Sequence, residues 1–389
     1  MAKSTRAGRY LRQPSGYSAF APAPLPPDPL IAFDSEMQTL LSAADRALGR
    51  LDGSIQTLPN PDLFIFMYVR KEAVLSSQIE GTQSSINDLL KIEASIFDPN
   101  APDDVSEVLN YVNAMNAGLE RLDTLPVSIR LIREIHAALM HGVRGHHAEP
   151  GEIRHSQNWI GPAGSTLGQA TFVPPPPHEV MPALGALETF IHDPSPLPLL
   201  IKIGLIHAQF ETIHPFLDGN GRMGRLLITF LLCQNGILQK PVLYISHYLK
   251  RYRSEYYERL QNVRDHGDWE GWLKFFLRGI SEVSREATET ARKVVGMRED
   301  HRRAITNGFG RAAGNGLNVL ETLYQRPLVT VNEIARLLGI TFAAANMLVQ
   351  RFLDAEILVE ITGQQRYRVF RYSPYIQLFA DEPTEPLAP

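Results

Sequence analysis

Two helical runs, Leu199 to Thr212 and Arg222 to Gln234, are separated by a break that leaves the chain little choice of fold. The segment around it, Ile213 to Arg225, reads IHPFLDGNGRMGR. Glycines at 219 and 221 leave Asn220 free to adopt an unusual backbone conformation, and they let backbone N–H groups approach an anion with no Cβ atoms in the way. The second helix starts at this turn, so its unpaired N-terminal donors and its dipole add to anion binding.

Helical spacing of apolar residues continues well beyond these two runs. It marks Phe33 to Leu51, Asp62 to Gly81, Val105 to Leu122, Val127 to His141, Glu179 to Asp193 and Ser254 to Arg264, which predicts a mainly helical protein. Pro150 to Pro177 breaks the rhythm with β-formers, glycines and four closing prolines, and reads as a hairpin followed by a stiff turn. Near Val295 to Asn318 the charged residues give way to NGFGRAAGNG, a flexible-linker signature. Beyond it, Asn318 to Tyr324, Val331 to Leu338 and Thr341 to Ala355 look like three short helices. With the alternating ribbon Ile357 to Tyr372 they predict a C-terminal winged helix-turn-helix domain.

A chain of 389 residues exceeds one ordinary core, so two or three domains are expected. An apolar share of 44% and a charged share of 21% are globular values, and a net charge of −4 does not advertise a nucleic-acid partner. Cys233 has no partner for an intramolecular disulfide, and no apolar run approaches the roughly 20 residues of a membrane span. Cytoplasmic location is therefore the expectation, with no membrane partner. The basic start, with Lys3, Arg6, Arg9 and Arg12, precedes the proline-rich APAPLPPDPL and reads as a flexible arm.

The central segment suits phosphate handling. Arg222 and Arg225 share a helix face and can reach along one polyphosphate, Asp218 can offer Mg²⁺ an oxygen, and His214 can accept a proton near neutrality. From His214 to Arg225 the chain resembles the Fic signature HxFx(D/E)GNGRxxR at every fixed position. The flanking helices, the Pro150 to Pro177 hairpin and the later SEYYERLQNVRDHGDWEGWLKFF extend the resemblance over roughly residues 30 to 375.

The resemblance implies a protein adenylyltransferase that moves AMP from ATP to a Ser, Thr or Tyr hydroxyl of a target protein, which can be the chain itself. His214 would be the general base and Asp218 the Mg²⁺ ligand. Gly219, Asn220 and Gly221 would form the anion hole, with Arg222 and Arg225 on the β- and γ-phosphates. Phosphate-transferring relatives carry lysine at the second glycine of GNG, so Gly221 points to AMP transfer.

Upstream, Ser76-Ser77-Gln78-Ile79-Glu80-Gly81 is similar to the family's inhibitory helix. Ser76 and Glu80 lie one helical turn apart on one face. The resemblance implies that Glu80 pairs with Arg225 and keeps ATP from binding productively. In some relatives the equivalent glutamate also directs water to remove AMP, so de-AMPylation stays open.

Weaker signals complete the expected site. The flap from Asn158 to Thr171 would dock the target by strand addition. Tyr248 and Arg251 are candidates for the adenine side, with Tyr256 and Tyr257 set aside as packing residues. A metal reading of His207, or of His146 and His147, lacks a paired carboxylate; His207 is expected beneath the site.

In the C-terminal domain, Asn346, Gln350, Arg351, Arg366, Arg368 and Arg371 are the residues that could meet DNA, although the FAAAN start favours a packing or partner surface. A DNA-binding regulator with the Fic core as nucleotide sensor is the competing function, and a homodimer is a candidate state. The expected parts are an arm at 1–30, a helical region with the inhibitory helix at 31–110, and a Fic core at 111–295. A linker at 296–316, the winged helix at 317–375 and a tail at 376–389 follow.

Overall fold

The computed structural model describes residues 6–56, 61–96, 101–142, 149–162 and 164–380. The His146–His147 pair lies outside these residues. Among the described residues no helix is long and apolar enough to cross a membrane.

The chain is mainly helical. Helices α1 (Ser35–Gln56), α2 (Asp62–Ile79), α3 (Ile86–Glu93), α4 (Val105–Leu122) and α5 (Ile129–Leu139) lead to α6 (Pro177–His192). The centre is the pair α7 (Leu199–Ile213) and α8 (Asn220–Gln234), in which nearly every side chain is buried. Apolarity around the whole circumference, rather than along a stripe, is what places these two helices in the middle. Next come α9 (Ser246–Arg251), α10 (Arg253–His266) and α11 (Trp269–Gly308). The helix α11 runs 40 residues and packs along α1 and α7.

Three departures from the sequence expectation have physical causes. First, the expected arm folds. Strands β1 (Gly8–Arg12) and β2 (Ser18–Pro22) pair antiparallel, and Phe20 N–H donates to the Val173 carbonyl at 2.9 Å. Ala7, Phe20 and Ile31 are buried, and Arg6 pairs with Glu270 at 2.6 Å. The basic residue is thus an anchor to the core, and the prolines shape a chain that lies on it.

Second, residues 296–316 are not a linker. Helix α11 continues to Gly308, and α12 (Ala313–Leu323) begins five residues later. A Cβ on Gly316 would stand 2.8 Å from Ile305 and 2.9 Å from Phe309, so this glycine permits close helix contact. Third, the expected tail is docked up to the last described residues. Helix α15 (Ser373–Gln377) is followed by buried Phe379, whose ring meets Tyr68 edge-on at 5.2 Å.

Where the sequence predicts a winged helix, α12 is followed by β3 (Leu328–Thr330), α13 (Val331–Leu338), α14 (Phe342–Asp354), β4 (Val359–Glu360) and β5 (Val369–Arg371). The strands form an antiparallel sheet in the order β3-β5-β4. Thr330 caps α13 through a reciprocal bond pattern with Glu333, and Gly339 ends it in the left-handed conformation.

Candidate active site

The α7–α8 connection is built by two left-handed residues. His214 ends α7 at φ 50°, and Gly219 precedes α8 at φ 75°. Asn220, expected to take the unusual conformation, is instead the first residue of α8. Its side chain clips the turn, accepting from Phe216 N–H and donating to Phe216 C=O, each at 2.8 Å. Gly219 must lack a Cβ, which would stand 2.7 Å from Met140 Sδ.

Buried side chains from neighbouring elements hold the turn. Arg154 donates to the His214 carbonyl at 2.9 Å and to the Pro175 carbonyl at 2.6 Å. Gly151 N–H donates to His136 Nδ1, which leaves the proton on Nε2 to donate to the Asp218 carbonyl at 3.0 Å. The His136 ring stacks on Phe216 at 3.6 Å, and burial lowers its pKa to about 4.

A cavity of about 620 Å³ opens over the turn. Asp218 to Gly221, His214, Arg225 and Glu80 form one side of it; Trp159 to Pro162, Thr171 and Phe172 form another. The remaining wall is one face of α10, with Arg253, Tyr256, Tyr257, Leu260, Gln261 and Arg264 at helical spacing. First-turn amides of α8 lack intrahelical acceptors, so this floor suits an anion.

His214 is neutral in this setting: burial, then Arg264 and Arg154, lower its pKa to about 3. Arg225 is held by the C-terminal end of α2. Its Nε donates to Ser76 Oγ at 2.8 Å, and one terminal nitrogen donates to the Ser76 carbonyl at 3.0 Å and to Glu80 Oε1 at 2.6 Å. Burial opposes charge on Glu80, but Arg225 outweighs it and holds the carboxylate below its ordinary range. A Cβ on Gly221 would lie 2.1 Å from Glu80 Oε1, so the glycine makes room for that carboxylate.

Asp218 has a half-exposed side chain (52%) at the cavity edge, and its Oδ1 accepts from Gly219 N–H at 2.6 Å. Among the described residues no group of three His, Cys, Asp or Glu side chains could hold a metal. One open carboxylate beside an anion site fits Mg²⁺, which binds through one or two carboxylates plus substrate phosphates. Asp218 would supply that carboxylate.

Other expected site residues lie elsewhere. Arg222 is buried beside α4, where it donates to Glu107 Oε2 at 2.9 Å, and it does not line the cavity. Tyr248 packs under Gly279 against Phe275, and Arg251 pairs with Glu282 and Glu286. Both belong to α9, which packs on α2 and α11, and neither lines the cavity. Tyr256 and Tyr257, set aside in the sequence, line it instead.

The expected flap hairpin reduces to one bridge, Ile160 with Phe172. Asn158 does not point outward: it donates to the carbonyls of Phe216 at 2.8 Å and His214 at 3.3 Å. Thr171 and the exposed Trp159 remain on the cavity side. His207 lies beneath the site; its Nδ1 donates to the Gly224 carbonyl at 3.0 Å, so Nε2 accepts from the Tyr256 hydroxyl at 2.9 Å.

Sequence reasoning missed Glu107, His136, Arg154, Glu211 and Arg264. Only Arg264 carried a signal, since it completes the α10 face. The rest are ordinary residues until the fold brings them to the turn.

A helical core thus carries a glycine turn with free amide donors beside a neutral imidazole. The particular family follows from direct comparison. Residues 38–120 match the Fic/DOC family N-terminal region and residues 126–232 the Fic/DOC family. The chain thus carries a Fic/DOC family domain preceded by the family's N-terminal region.

Among curated relatives, a probable protein adenylyltransferase of Aquifex aeolicus is 39% identical over 69 residues, 18% of this chain and 22% of that protein. The protein adenylyltransferase Fic of Nematostella vectensis is 30% identical over 186 residues, 47% of this chain and 38% of that protein. The chain thus spans well under half the length of these relatives. The fold matches the crystal structure of a Fic family protein from Desulfovibrio desulfuricans, with a TM-score of 0.58 and 19% identity, covering 88% of this chain and 97% of the other.

Proposed function

We infer that the chain is a protein adenylyltransferase held at rest by its own Glu80. The observation that carries this reading is the cavity in which His214, the glycine turn and Arg225 meet, with Glu80 bound to Arg225 at 2.6 Å. Adenylyltransferase relatives at about 30% identity support the reaction class.

In the proposed reaction, the α-phosphate of ATP lies on the amides of the glycine turn. A protein hydroxyl attacks its phosphorus, the bond to the bridging oxygen breaks, and pyrophosphate leaves. His214 takes the hydroxyl proton. Its Nδ1 is buried on the side of the Glu211 backbone, which leaves Nε2 as the nitrogen for the cavity. The imidazole is neutral and ready to accept, and incoming phosphates raise its affinity for the proton. Mg²⁺ at Asp218, when bound, offsets phosphate charge.

Arg225 would bind the terminal phosphate once Glu80 leaves. Arg222, tied to Glu107, would steady the base of the turn. Tyr256 and Tyr257 on α10 are better placed for the nucleoside than Tyr248 or Arg251. Trp159 and Thr171 would guide the target chain by backbone pairing. Division into an N-terminal region, a Fic core and a C-terminal winged helix remains our proposal for the domains, with the boundaries revised as above.

Incubation of wild type, Glu80→Gly and Glu80→Gly/His214→Ala proteins with ATP and Mg²⁺, followed by mass spectrometry, tests the reading. Glu80→Gly is expected to gain AMP on itself or on a lysate protein at least roughly tenfold faster than wild type, the scale of a typical coupling energy. Adding His214→Ala should abolish transfer while nucleotide binding persists. Equal labelling of all three, or none on any protein, would overturn the proposal.

A further inference from the structure

The cavity holds one carboxyl group that the reaction above leaves unused. Glu211 lies one turn before His214 on α7, is 6% exposed and lines the cavity. Its Oε1 is sealed from solvent and has no hydrogen-bond partner. Buried polar atoms are rarely left so, because an unmet one bears its full desolvation cost with no bond in return. The placement depends on Gly224, where a Cβ would stand 2.4 Å from that oxygen.

Charged and titratable groups surround Glu211 from every side. Arg225 faces it from α8, Glu80 from α2, Arg264 and Tyr256 from α10, and His207 and His214 share its helix. Arg225 is already bonded to Ser76 and Glu80. Arg264 donates to Thr212 Oγ1 and to the Glu211 carbonyl, both at 3.2 Å. Burial and the Glu80 charge push the carboxyl up, Arg225 and Arg264 pull it down, and it stands at about 7.

A protonated carboxyl is a donor as well as an acceptor. Glu80 is the chain's own anion at Arg225, and a polyphosphate in its place would bring more negative charge toward Glu211. That charge favours the protonated form and gives its proton an acceptor. We propose that Glu211 is a ligand-contacting residue of the phosphate site, donating a hydrogen bond to an anionic oxygen of a nucleoside polyphosphate, so that binding takes up one proton. The proposal rests on the nucleotide reading above. The proton comes from solvent and stays on Glu211; no covalent bond changes.

The test is calorimetric titration of ADP with Mg²⁺ into Glu80→Gly protein at pH 8, in two buffers of different ionisation enthalpy, repeated with Glu211→Gln added. Tripolyphosphate is the second probe, because it lacks the nucleoside. With Glu211 present, the two buffers should report uptake of close to one proton, and affinity should fall by up to about tenfold per pH unit above neutrality. Glu211→Gln, which keeps a donor, should bind with no buffer dependence and a flat pH profile.

Binding with no proton uptake, or equal uptake in both proteins, overturns the Glu211 assignment and leaves the nucleotide site intact. Failure of folded protein to bind either probe overturns both. If Glu211→Gln does not fold, the absence of uptake in the Glu80→Gly protein alone is sufficient to reject the proposal.

Discussion

At the scale of single residues, one stripe of α2 does most to define the resting site. Glu72, Ser76 and Glu80 recur every four positions and so share a helix face. Ser76 and Glu80 hold Arg225, while Glu72 accepts from Ser246 N–H at 3.0 Å and Ser246 Oγ–H at 2.5 Å. Complete burial lifts the Glu72 pKa from 4.5 to about 7, against the pull of Ser246. Folded chains therefore keep a proton that unfolded chains lose between these values, and stability should fall as pH rises through this window. The fall attributable to Glu72 is on the order of 3 kcal/mol. Chemical denaturation at pH 5 to 8 should show a shallower decline for Glu72→Gln than for wild type; parallel curves would remove Glu72 as the source.

Helices and turns show where periodicity is reliable and where glycine misleads. The α10 residues at 253, 256, 257, 260, 261 and 264 form one face from sequence spacing alone, and that face is the cavity wall. Which of its neighbours join the site depends on the direction of α9, which turns Tyr248 and Arg251 away. Glycine has two opposite uses in this chain. At Gly219 it supplies a left-handed turn, whereas at Gly316 it lets α12 approach the end of α11. A linker reading of residues 296–316 confuses the second use with freedom. Gly316→Val should overpack this contact and lower stability by about 1–3 kcal/mol. A thermal melt unchanged from wild type would show that the contact yields at no cost.

Across the whole molecule, α11 ties the Fic core to the C-terminal helices and sheet. Arg298 pairs with Glu321 at 2.7 Å, His301 Nδ1 meets the Tyr372 hydroxyl at 2.7 Å, and Arg351 donates to the Phe309 carbonyl. Most of the residues that a DNA reading would use are engaged within the chain, while Arg366 is exposed. Asn346 accepts from Arg368 at 2.7 Å, and Gln350 donates to Asp354 at 2.9 Å. Residues 317–375 carry six arginines and five acidic residues, too even a balance for a phosphate-binding surface. The full chain is expected to leave duplex DNA unshifted at low salt. A shift that salt reverses and that Arg366→Ala weakens would restore the DNA reading.

The sequence by itself determined the helical core, the turn on which His214 to Arg225 lies, and the Ser76–Glu80 spacing, because each follows from local periodicity or from glycine's freedom. Only the tertiary structure decided which side chains meet at the turn. Glu107 reaches Arg222, Arg154 pins the His214 carbonyl, and the Glu211 carboxyl packs beneath Gly224, through contacts between elements 13 to 115 residues apart. Such pairings depend on how apolar helix faces pack, and a buried charge has no signature in sequence until its partner is folded against it.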